Sequence, residues 1–138
     1  MESLFLPRIA LATIVAALGA GCASVAGGPY DEPWSVIQTD VARSVDSHVI
    51  PVIVNRVDDR NTDRNMAVVA PGRHAVTVDV PPRKHFPATQ HTFELTTEPC
   101  TRYYVAARLE NFATAEWEPI VRSTARIGEC EAKFAMAR

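Results

Sequence analysis

Residues capable of chemistry occur along this 138-residue chain in small, separated groups. Asp46-Ser47-His48 holds the three side-chain types of a hydrolytic triad. Triads are assembled in space, not from neighbours on one strand, and no Gly-x-Ser-x-Gly elbow accompanies the serine. The segment reads as a polar strand start. Asp59-Arg60-Asn61-Thr62-Asp63-Arg64-Asn65 places oxygen-bearing side chains at every second position, as a calcium loop does. An EF-hand loop needs Gly at its sixth position and Glu at its twelfth; Arg64 and Ala70 stand there, and two arginines repel a cation. A solvated hairpin loop is expected instead. His48, His74, His85 and His91 carry imidazoles suited to zinc or copper, yet none shows HxH or HxxxH spacing. The expectation is therefore no catalytic residue, no metal and no cofactor. Arg83, Lys84, His85 and Phe86 lie within the proline-bounded stretch Pro81–Pro87. They put cations and one aromatic on a loop expected to be exposed and extended, a candidate contact for a protein or anionic glycan partner. The plain alternative is a solvated hairpin connection.

The elements that must position these groups are strands. In His74–Val80, Val76, Val78 and Val80 share one face, opposite Thr77 and Asp79; in His91–Thr97, Phe93, Leu95 and Thr97 oppose Glu94 and Thr96. Period-2 alternation of this kind marks half-buried strands. Val49–Val54 reads as an inner strand, apolar on both faces, with an edge or bulge at Pro51. Arg102–Leu109 is another strand, and weaker ones are expected at Val36–Val41, Met66–Val69 and Glu118–Ile127. Glu110–Trp117 suits a loop or one helical turn. Trp34 and Trp117 read as core or flank packing. About seven short strands at turn-spaced intervals predict an all-β, antiparallel sandwich.

The N-terminus differs in kind. Ile9–Leu18 is an uncharged apolar run followed by Gly19-Ala20-Gly21-Cys22. It is too short for the roughly 20 residues a membrane-crossing helix needs, and it fits the apolar region of a secretory signal. The segment resembles a bacterial lipoprotein signal, whose pattern is Leu, two small residues, then Cys, although Leu18 lies four residues before Cys22 instead of three. The resemblance implies removal of residues 1–21 and acylation of Cys22, so that lipid ties the chain to a membrane. Two or three acyl chains would make that attachment effectively permanent. Ala23 follows Cys22, where Asp would resemble an inner-membrane retention signal. By that analogy the protein is expected at the periplasmic face of the outer membrane. With Cys22 given to lipid, Cys100 and Cys130 are left to pair in an oxidising compartment; two buried free thiols are the alternative.

Residues 22–33, with Gly27-Gly28-Pro29 and Pro33, read as the lipidated terminus and a linker, and residues 34–138 as one domain of ordinary size. The net charge of −2 argues against a nucleic-acid surface. Ile53-Val54-Asn55-Arg56-Val57-Asp58-Asp59, then Val69-Ala70-Pro71-Gly72-Arg73-His74, then Thr101-Arg102-Tyr103-Tyr104-Val105 resemble small bacterial lipoproteins of unknown function with an immunoglobulin-like or transthyretin-like sandwich. That family has Gly where Asp59 stands, and Asp tolerates left-handed backbone better than most residues. The resemblance covers residues 48–109 and implies fold, not catalysis. The functional expectation is a lipid-anchored, non-catalytic binding or scaffolding module of the envelope, with a periplasmic small-ligand or metal-binding module as the alternative.

Overall fold

A computed structural model describes residues 27–41 and 45–135. Cys22 and the expected signal segment lie outside them. The strands are β1 (Ser35–Thr39), β2 (Val49–Pro51), β3 (Ile53–Val57), β4 (Arg60–Asn61), β5 (Met66–Val69), β6 (Gly72–Val80), β7 (Thr89–Thr97), β8 (Thr101–Leu109) and β9 (Trp117–Arg126), followed by the short helix α1 (Gly128–Lys133). The fold is all-β. One sheet runs β9-β8-β1-β5, with β2 continuing along β8 beyond β1; the other runs β4-β3-β6-β7. Every pairing is antiparallel except one. Val36–Thr39 of β1 lie parallel to Arg102–Val105 of β8, while β2 pairs antiparallel with Ala106–Arg108.

Nine strands replace the expected seven or so, for local reasons. Pro51 has no N–H to extend the ladder, so β2 ends there and the chain changes sheets at Val52. From that point burial has one face: Val52, Val54 and Val57 are buried and Ile53 is 40% exposed. Val49–Val54 is thus two strands in two sheets, not one strand apolar on both faces. The segment expected to be a solvated hairpin loop does turn as a hairpin, and it also contributes β4. It turns at Asp58 and Asp59, with φ of 49° and 62°, between the paired residues Val57 and Arg60. Two consecutive left-handed residues are the signature of a type I′ hairpin. Arg64 and Asn65 repeat it, with φ of 52° and 60°, between the bridged residues Asp63 and Met66.

The main core lies between the sheets, where Ile37, Val54, Val76, Val78, Val105, Leu109 and Trp117 pack together. A second cluster of Trp34, Val36, Cys100, Ile127 and Cys130 lies apart from it. Val36 precedes the inward-facing Ile37, so this cluster covers the outer face of the first sheet. Cys100 and Cys130 are joined in a disulfide with Cα atoms 5.3 Å apart, and both are fully buried. At the corner between β7 and β8, the Tyr103 hydroxyl accepts from the Glu98 N–H at 2.7 Å. The expected strand end at Ile127 is instead the residue preceding α1, whose six residues are too few to show a helical period.

Candidate interaction site

β6 and β7 pair residue for residue, from Gly72 opposite Thr97 to Val80 opposite Thr89. At about 3.3 Å per residue this hairpin spans roughly 30 Å and gives the sandwich two poles. At the first, the chain enters. The Cys100 N–H donates to the Trp34 carbonyl at 2.8 Å. Tyr30 packs edge-on against Trp34, ring centres 5.1 Å apart, and Trp34 against Phe134 at 6.0 Å. The Lys133 ammonium donates to the Tyr30 carbonyl at 2.5 Å. The linker is therefore docked against α1, the helix the disulfide fixes.

The second pole carries the connection between β6 and β7. The stretch expected to be an extended loop is a tight turn here. Arg83 and Phe86 bridge through reciprocal backbone hydrogen bonds of 2.9 Å, and the side chains that bracket the turn meet across it. The Arg83 guanidinium lies 5.1 Å from the centre of the Phe86 ring, a cation–π contact. Lys84 and His85 stand exposed at the tip. Two further segments reach the same pole. The Leu109 N–H donates to the His48 carbonyl at 2.7 Å, and the His48 ring lies 4.5 Å from that of Phe112, which is 51% exposed. The Trp117 indole donates to the Thr89 hydroxyl at 2.7 Å and its ring lies 4.2 Å from that of His91. Arg83–Phe86 are candidates in the sequence and Phe112 is not, because its place beside His48 depends on the β2–β8 pairing.

The remaining candidates have structural employment. Asp46 accepts from the His48 backbone N–H at 2.9 Å, closing its own turn. His74 presents Nδ1 to the Asp58 carboxylate at 2.5 Å and donates from Nε2 to the Ala70 carbonyl at 2.7 Å. Both ring nitrogens are thus engaged and neither is free to take a proton from a nucleophile. Asp58 also accepts from the Ala75 N–H at 2.9 Å. The side-chain hydrogen bond with His74 holds the Asp58 carboxyl below its ordinary range. The pair clips the β3–β4 turn to the crossing from β5 into β6. It borders an open groove of about 970 Å³ between β4 and β5, walled by linker residues and lined with Asp31, Glu32, Arg60 and Asp63. Among the described residues, no three or more His, Cys, Asp or Glu side chains gather as a metal site, and no helix is long and apolar enough to cross a membrane.

Comparison of the chain with protein-family models, with curated proteins and with solved structures finds no match to any of them.

Proposed function

We propose that the chain is a lipid-anchored module of a bacterial envelope, held by acyl groups on Cys22 at the periplasmic face of the outer membrane, that binds or scaffolds and does not catalyse. It resembles small sandwich-domain lipoproteins in the residues quoted above. The observation that carries the reading is the separation of poles: the linker enters beside Trp34, and Arg83–Phe86 with His48 and Phe112 sit at the other end of the sandwich. An anchor at the first pole leaves the second free to meet an envelope protein or a glycan. A buried disulfide suits an oxidising compartment. The groove beside Asp58 and His74 favours the second reading, a periplasmic small-ligand module.

Two measurements test the proposal. Replacing Cys22→Ser moves the protein from the membrane fraction to the soluble one; unchanged fractionation, with no acyl mass on the N-terminus, sinks the anchor. A photo-crosslinker at Lys84 captures a recurrent envelope partner that the same probe at Glu129, on the entry pole, does not. Equal capture from both positions removes the loop pole from the argument.

A further inference from the structure

Four of the five free strand edges among the described residues carry a device that blocks further pairing, and the fifth carries only one charge, Glu94, which its own sheet pairs with Arg73. β4 is two residues long, and β2 is three and ends at Pro51. β5 is only four residues long, and linker residues wall the groove beside it. β9 contains Pro119, shifts register against Tyr104 and Val105, and bears Arg122 and Arg126. These are the known ways in which natural sheets avoid edge-to-edge association. β7 is nine residues long, pairs with β6 without a register shift, and contains no proline, lysine or arginine.

The flank next to β7 is open as well. β9 meets β7 at Trp117, which is 5% exposed, and then loses cover. Val121 pairs with the inward-facing Val105 yet is 36% exposed, and Thr124, opposite Tyr103, is exposed. On β7, Phe93 and Leu95 face the core but are only partly buried. The first sheet thus offers an inner surface beside β7 where one more strand of the second sheet would pack.

We propose that this strand is β7 of a second copy, paired antiparallel about a two-fold axis through Phe93. That register uses all nine residues and sets Thr89 against Thr97 of the copy, Gln90 against Thr96, His91 against Leu95 and Thr92 against Glu94. Charge permits the approach. Glu94 is the one acidic residue of the strand and its own sheet pairs it with Arg73, while across the axis it meets a threonine hydroxyl. The contact is isologous and closes at two copies. A strand pair with a small apolar seam covers less than the standard interface of about 1,600 Å², so the dimer is a weak one, with a dissociation constant between about 1 μM and 1 mM. Antiparallel pairing also sends the two linkers off opposite ends of the dimer.

The test uses residues 22–138 with Cys22→Ser, which contain the whole described fold and make the outcome independent of the lipid anchor. Sedimentation across the micromolar to millimolar range shows monomer and dimer in exchange. Thr92→Glu puts a carboxylate opposite each Glu94 and weakens the dimer; Thr92→Lys puts an ammonium there and tightens it. With two such pairs per dimer, each variant shifts the dissociation constant roughly two- to thirtyfold, in opposite directions. Both lose the Thr77–Thr92 hydroxyl contact of 2.9 Å equally, so a merely structural effect moves them the same way. A protein that stays monomeric to about 1 mM, or variants that shift together, overturns the proposal.

Discussion

Replacing both Cys100 and Cys130 with alanine should lower the melting temperature by about 15 °C. The bridge closes a sequence separation of 30 residues, and chain-entropy reasoning assigns such a loop about 3.7 kcal/mol at 25 °C. For a domain of about 100 residues, 1 kcal/mol is worth about 4–5 °C. Both sulfurs are fully buried, so their removal adds a small packing loss and no gain in solvation. Circular dichroism melts of the Cys22→Ser chain, with and without the cysteine pair, measure the difference. The competing account is that Ile127 and Phe134, packed with Trp34 and Val36, hold α1 without covalent help. Under it, Phe134→Ala with the disulfide intact costs more than removing the cysteines. A loss below about 4 °C for the double alanine variant, with the larger loss from Phe134→Ala, refutes the entropic reasoning.

Acid should erase the Asp58–His74 clip. The folded-state carboxyl is depressed, so its contribution is present above the ordinary aspartate range near pH 4 and is lost as pH falls through the lower folded value. Denaturant titrations should show Asp58→Asn less stable than the parent at pH 7, by under about 1 kcal/mol given the exposed site, and equal to it in strong acid; a gap that survives there means the carboxylate is not the source. At the neighbouring turn position, Asp59→Gly should be neutral or stabilising and Asp59→Val destabilising by about 1–2 kcal/mol, because φ is 62°. Equal stabilities of the two variants would mean that the turn relaxes.

Alternation exposed β6, β7 and β8 in the sequence because each turns its more apolar face toward the core, although β7 buries its face only in part. The reversal at Asp59 was anticipated only through a resemblance, with Asp tolerating left-handed backbone better than most residues; the second left-handed position, Asp58, was not anticipated. Pro51 misled because a proline between valines can mark a bulge, an edge or a change of sheet, and only the position of the second sheet decides which. The parallel β1–β8 pair left no trace, since Val36 and Arg102 lie far apart in sequence and a strand's side chains do not encode its partner's direction. The same distance hid the His74 clip. Asp58 and His74 each lay inside a recognised motif, and the register of β3 on β6 brings them together.

The placement of β1 governs the order in which the molecule can be completed. A chain made from its N-terminus presents Ser35–Thr39 before either neighbour, β5 or β8, has been synthesised. The Trp34 carbonyl then waits for Cys100, and Cys100 waits for Cys130, 30 residues further on. Contacts of such long sequence separation form slowly. The β3–β4 and β6–β7 hairpins join strands adjacent in sequence and can close early, but the entry pole is sealed last. Until Cys130 reaches Cys100 the chain is a hairpin-rich intermediate with an unclasped strand β1, so closure of the disulfide reports that α1 has docked beside Trp34.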